Sequence, residues 1–164
     1  MHKMRRFRQE LSSEETKRIF EEGTFGVLAL CGEDLNPYAV PISYVYDGDK
    51  IYFHSAKAGH KLEIIKNNAK ASFTVIDQNM IVPEKYTTYF RSAIAFGEIR
   101  ILDNQEEMIA AMIKLGMKYS SDFKEGIMPE IQSQMRALCV LEFNIEHMSG
   151  KEAIELVRER EMKK

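Results

Sequence analysis

The chain is poor in the residues that build metal centres and disulfide frameworks. Its four histidines stand at positions 2, 54, 60 and 147 and its two cysteines at 31 and 139, with no cluster at metal-ligand spacing. No resident metal ion is therefore expected. Cys31 and Cys139 each lie inside an apolar, strand-like run, so they read as buried free thiols of a protein kept in a reducing cytoplasm. Positive charge is not in excess either. A formal net charge of -2 and a pI near 6.1 argue against nucleic acid as the main partner. No apolar run approaches membrane-spanning length. The one strongly basic stretch, His2-Lys-Met-Arg-Arg-Phe-Arg8, lacks the apolar segment that a signal peptide needs after it, so neither a membrane span nor a leader is expected. No Ser-His-Asp arrangement, paired carboxylates or Walker-type loop appears, which leaves hydrolysis and nucleoside-triphosphate chemistry without support.

What is present fits one domain over residues 1–150, followed by a charged helical tail over 151–164. Leu11 to Glu22 reads as a helix capped by Ser12 or Ser13 and stopped at Gly23. A continuous apolar strand, Phe25 to Cys31, follows and is turned by Gly32-Glu-Asp34. From Tyr38 to Tyr46 the chain alternates, with Tyr38, Val40, Ile42, Tyr44 and Tyr46 on one face. Pro41 cannot donate to a ladder, so this strand has an edge or a bulge there. Ile51 to His54 is a third strand after the hairpin signal Tyr46-Asp-Gly-Asp49, and Ala71 to Ile76 a fourth. Residues 80–88 read as irregular, and Tyr89 to Leu102 as a long strand bent at Gly97. Helices over 104–119, Met-rich and assigned to the core, and over 123–136, containing Pro129, precede a sixth strand, Ala137 to Ile145. Six strands joined mainly by turns predict a mainly β fold with added helices, an antiparallel barrel.

One segment carries a local electrostatic conflict. Between the strand at 51–54 and a short amphipathic helix over 59–67, the chain gathers Lys57, His60 and Lys61. Free N–H groups at a helix start carry positive partial charge and favour acids, as at Ser12-Ser-Glu-Glu15 and Asp103-Asn-Gln-Glu-Glu107. A bound anion, typically a phosphate, would resolve the conflict. A solvated, Lys-rich loop without a ligand is the other reading.

Phe25-Gly-Val-Leu, Pro37-Tyr-Ala-Val-Pro-Ile-Ser-Tyr-Val-Tyr46, Ile51-Tyr-Phe-His-Ser-Ala with Gly59-His-Lys61, and Phe73-Thr-Val75 together resemble the pyridoxamine-phosphate-oxidase-like flavoproteins. The likeness is strongest to their nitroimidazole-resistance (Nim-type nitroreductase) branch. Pro83-Glu-Lys-Tyr-Thr-Thr-Tyr89 and Ser92-Ala-Ile-Ala-Phe-Gly97 extend it over roughly residues 4 to 150. The resemblance implies a six-stranded split barrel that forms a homodimer and holds FMN in clefts between subunits. By the same resemblance, Gly59, His60 and Lys61 would hold the FMN phosphate, and Ser55 and Ala56 would approach the ribityl chain. Ala39, Val40, Pro41, Ile42 and Ser43 would line the isoalloxazine edge, and His54 would act catalytically beside the flavin. Tyr86, Tyr89, Arg91 and Ser92 would close the cleft from the partner subunit. The implied function is an FMN-dependent oxidoreductase passing electrons to a small acceptor, with a 5-nitroimidazole or other nitroaromatic as the named candidate. Two alternatives stand beside it: a flavin- or haem-binding stress or sensor module without turnover, and pyridoxamine-phosphate oxidation, which needs further cations for the substrate's own phosphate.

Overall fold

The computed structural model describes residues 4–33 and 35–162; His2 and Lys3 of the basic stretch, Asp34 of the first turn and the last two residues of the tail lie outside them. Helix α1, Ser13–Glu22, begins with a reciprocal cap. The Ser12 hydroxyl accepts from the Glu15 N–H, and the Glu15 carboxylate accepts from the Ser12 N–H. Its inner face buries Thr16, Ile19 and Phe20.

Seven strands follow: β1 Phe25–Cys31, β2 Pro37–Ser43, β3 Val45–Asp47, β4 Lys50–Ala56, β5 Lys70–Val82, β6 Thr87–Ile101 and β7 Leu138–Glu152. They form one antiparallel sheet in the order β2-β1-β5-β6-β7-β4-β3. The count exceeds the expected six because the stretch over 38–46 is cut at Tyr44. There the strand loses its neighbour: the Tyr119 hydroxyl accepts from the Tyr44 N–H at 2.9 Å and donates to the Tyr44 carbonyl at 2.7 Å. The Tyr44 ring is fully buried, and its own hydroxyl donates to the Phe20 carbonyl. Burial pushes the Tyr44 phenol well above its ordinary range, so it stays a donor. β2 and β3 are therefore the two opposite edges of the sheet, yet a single residue joins them. Only a curled sheet can satisfy both facts. The result is a split β-barrel that the chain pulls round and that hydrogen bonds do not close.

Two further differences have local causes. Residues 80–88 were expected to be irregular, but β5 and β6 pair from Lys70↔Glu98 to Val82↔Thr87 around a short turn. A register shift between Ile76 and Gln78 breaks the alternation where the sequence pattern stops. β7 runs on from Ile145 to Glu152 for the same kind of reason, a shift between Phe96 and Gly97. A Cβ at Gly97 would lie 1.9 Å from the Asn144 oxygen, so this bend requires glycine. Pro41 sits on an edge strand whose register with β1 runs unbroken through Val27↔Pro41, so the alternative of a bulge there is discarded.

The barrel interior is built on Phe20, Tyr44, Phe53, Phe73 and Phe143, with Tyr44 and Phe53 edge-on to Phe73 at 4.7 and 5.0 Å. A second apolar cluster lies outside the barrel. There α3, Gln105–Ser120, packs Met108, Ala111 and Leu115 against Tyr52, Leu138 and Val140. Strands β4 and β7 are thus covered on both faces, which explains the unbroken burial of residues 138–143. Glu142 of β7 ties β4 and β6 together through Lys50 at 2.9 Å and Arg100 at 2.7 Å. Burial works to raise its carboxyl, and the two cations outweigh that and hold it below the ordinary range. Cys139 is buried and Cys31 half-buried, both as free thiols. Among the described residues no helix is long and apolar enough to cross a membrane.

The tail over 151–164 is anchored rather than loose in its described part. Helix α5, Ile154–Met162, buries Val157. Just before it Glu152, 1% exposed, meets Arg91 of β6 at 3.1 Å and Arg160 of α5 at 2.9 Å. Glu152→Gln removes the only charge shared by both guanidiniums. The expected loss is roughly 1–3 kcal/mol, less than for a wholly buried pair because both arginine side chains are 36% exposed. Glu161→Gln, which breaks a pair exposed on both sides, should stay within about 0.5 kcal/mol. Urea unfolding of both variants checks this, and equal midpoints would remove the anchor.

Candidate cofactor and acceptor site

The seam between the two sheet edges gathers the segments that the sequence singled out. β4 turns Ile51 and Phe53 into the barrel and Tyr52 under α3, then runs past its cover. His54 and Ala56 are exposed and Ser55 is half-buried, opposite Val140, Leu138 and Cys139 of β7. β2 touches β4 across the seam, and the Tyr38 ring meets the His60 ring edge-on at 5.1 Å. Along β2, Val40 and Ile42 lean on the core, whereas Ala39, Pro41 and Ser43 face outward. Residues 39–43, 54–56 and 59–61 are thus neighbours along one opening.

Helix α2, His60–Asn67, leaves from this place and is held by Leu62, Ile64 and Ile65 in the core. Its N-cap, Gly59, has φ 138 and ψ 159 and offers no side-chain cap. Two other helix starts differ: Ser12 caps α1, and Asn104 accepts from the Glu106 and Glu107 N–H groups of α3, whereas the helix Lys124–Gln134 starts without a side-chain cap as α2 does. Glu63, in the first turn of α2, was overlooked in the sequence; it lies 3.6 Å from His60 Nδ1 with both side chains exposed. It offsets part of the positive charge. Lys57, Lys61 and Lys66 have no ion pair among the described residues. All three lie close enough to Cys139 to draw its thiol down, although burial is the larger effect and pushes it up.

A cavity of about 460 Å³ opens at the end of β4, lined by His54, Ser55 and Ala56 on one side. Its other wall comes from Met112 of α3 and from Glu130, Ile131 and Gln134 of α4, Lys124–Gln134. Neither α3 nor α4 carries a motif that points to chemistry. The only available signal was the i, i+4 spacing of Glu130 and Gln134 beside Ile127 and Ile131, both buried.

The four residues expected to close the cleft stand elsewhere in this chain. Tyr86 is at the β5–β6 turn with φ 52 and is 98% exposed. Tyr89 is buried and accepts from Lys85 Nζ, so it is already packed within its own subunit. Arg91 is held by Glu152 and Asp77, and Ser92 pairs with Lys151. None of them lines the cavity at β4.

Gly59 occupies a region of φ/ψ that is almost exclusive to glycine, and an added Cβ there would meet nothing within 4 Å. The cost of Gly59→Ala is then conformational, roughly 1–3 kcal/mol. Gly126, inside α4 and equally open, gives the opposite sign: Gly126→Ala should gain about 0.5–1 kcal/mol. Denaturant unfolding of both variants checks the contrast. A neutral Gly59→Ala would show that the chain entering α2 does not depend on this conformation.

Residues 12–152 match the family model described as Pyridoxamine 5'-phosphate oxidase. An uncharacterised protein of Rhizobium meliloti is 33% identical over 67 residues, which are 41% of this chain and 43% of that protein. Among solved structures, a candidate 5-nitroimidazole antibiotic resistance protein from Bacteroides thetaiotaomicron aligns with TM-score 0.70 and 21% identity over 87% of this chain and 85% of its own. A FAD-binding protein from Mesorhizobium loti aligns with TM-score 0.62 and 22% identity, covering 88% of this chain and 97% of that one. A FAD- and haem-binding protein from Mycobacterium smegmatis gives 0.60 and 18%, over 89% and 73%. At these identities the structures speak for the fold, and the family model spans most of the chain. The chain belongs to the pyridoxamine 5'-phosphate oxidase family, with its split-barrel fold.

Proposed function

We propose that this protein is an FMN-dependent oxidoreductase that passes electrons to a small acceptor, a nitroaromatic such as a 5-nitroimidazole being the candidate. The observation that carries the reading is the start of α2: no side-chain cap, a glycine-only turn, and Lys57 and Lys61 without an ion pair among the described residues. That donor set suits a terminal phosphate, which would take up the free N–H groups and the excess positive charge together. The solved structures named for FAD binding share the fold, which supports a flavin; a single phosphate cluster favours the mononucleotide form.

Lys61, His60 and the Gly59 backbone hold the phosphate in this reading. Ser55 and Ala56 face the ribityl chain, and Ala39, Val40, Pro41, Ile42 and Ser43 present the β2 edge to the ring system. Bound FMN supplies the redox chemistry. His54, exposed at the cavity and next to the helix-covered part of β4, orients the acceptor or delivers a proton to it. Tyr86, Tyr89, Arg91 and Ser92 reach the site only as residues of a second copy, so the reading includes a homodimer. Tyr89 and Arg91 would then act through the packing and ion pairs they already hold. Pyridoxamine-phosphate oxidation is less favoured, because Lys50, Lys70, Arg91, Arg100, Lys114 and Arg160 are each engaged by a carboxylate. These six are therefore not free to bind a second phosphate.

Two variants separate binding from turnover. Lys61→Ala removes a charge-assisted contact of roughly 1.5–3 kcal/mol and should weaken FMN by about 10- to 150-fold. Riboflavin, without the phosphate, should bind both forms alike. His54→Ala should keep full FMN and lose roughly 10²- to 10⁴-fold in acceptor turnover. Flavin titration and turnover on the same preparations decide. Unchanged FMN affinity in Lys61→Ala would refute the phosphate site, and full turnover in His54→Ala would remove that residue from the mechanism.

A further inference from the structure

The cavity at the end of β4 does not stop at α4. A second one, of about 280 Å³, continues between α3 and α4 toward Phe123 and shares Met112, Glu130 and Ile131 with the first. Glu130 is the carboxylate common to both. It forms no ion pair among the described residues, although Lys57 follows directly on the cavity residue Ala56. Gln134, one turn further along the same face, has a side-chain amide without a partner there as well. The rest of the shared wall is apolar and Glu130 is exposed at its rim, so a molecule filling it would bury a flat hydrophobic body and meet one negative charge at the edge.

The helix that carries this wall is poorly supported by its own backbone. Phe123 gives it no side-chain cap, and Gly126 and Pro129 both lie inside it, the proline without an N–H for the helical ladder. Its place is set by Ile127 and Ile131 packing inward. Such a wall can adjust to an occupant without breaking strong local structure, and the unbranched thioether of Met112 can follow it.

We infer that the acceptor binds in this cleft and that Glu130 favours, among flat apolar acceptors such as nitroaromatics, those that carry a cationic nitrogen, in a ring or on a substituent. That the occupant is an electron acceptor rests on the oxidoreductase reading; the charge preference does not. Isothermal titration with N-methylquinolinium and with its neutral counterpart 1-methylnaphthalene tests the preference without turnover. Glu130→Gln should weaken the cation by about 2- to 5-fold and leave the neutral probe unchanged. Glu130→Lys should reverse the preference, and Glu159→Gln, on the exposed side of α5, should change neither. Equal effects on both probes, no effect on either, or no saturable binding of either at millimolar concentration would overturn the site. Flavin content measured on the same samples reports separately on the oxidoreductase reading: a flavin-free protein with the charge preference would overturn that reading and keep the cleft.

Discussion

The contact between Tyr119 and Tyr44 decides the architecture. By taking both backbone groups of Tyr44, the Tyr119 hydroxyl ends one strand and starts another within a single residue. The two strands then belong to opposite edges of the sheet. A sheet with its edges tied one residue apart must curl, and a curl that hydrogen bonds do not complete leaves an opening. Lys118, the neighbour of Tyr119, packs its ammonium 4.0 Å from the Tyr44 ring and donates to the Gly23 carbonyl. Burial lowers that ammonium to about 8, so the aromatic and carbonyl contacts work against a real desolvation cost. The α3 helix is therefore more than a cover: it supplies the residue that keeps the seam open.

Everything in the candidate site follows from that opening. β4 needs its outer cover only where α3 reaches, and its last residues emerge into the cleft. The Gly59 turn then starts α2 beside them, with its buried Leu62, Ile64 and Ile65 fixing the direction of the helix. Lys57 and Lys61 flank the uncapped start of that helix. Some charges elsewhere are consumed in structure: Glu142 holds three strands through Lys50 and Arg100, and Glu152 holds the last helix through Arg160.

Much of this was legible in the residues. Ser12 and Asn104 announced helix starts, Gly97 a bend, Pro41 an edge strand, and Lys57 to Lys61 an electrostatic misfit. These signals are local, each set by one residue's own dihedrals or charge. The switch at Tyr44 was not legible, because its cause sits 75 residues away on another helix. The continuation of β5 past Ile76 was hidden by a register shift that inverts the alternation on which sequence reading depends. The far wall of the cleft is not legible because Glu130 and Gln134 are exposed helix residues, and only the packing of Ile127 and Ile131 brings α4 to the cavity. Tyr44 and Tyr89 are buried within the single chain, which their neighbours in sequence do not reveal. Exposed Ile76, Met80 and Ile81 on the β5–β6 hairpin are apolar surface that the single chain leaves uncovered.

The central claim is that the seam holds FMN and is completed by a second copy. Size-exclusion chromatography of the purified protein with in-line light scattering and absorbance, followed by mass analysis of the released chromophore, tests both parts at once. The account predicts FMN, carried by a species of twice the 19.0 kDa chain mass and lost when that species dissociates. A 19.0 kDa species that retains flavin, or a protein that carries haem or FAD in place of FMN, would contradict it.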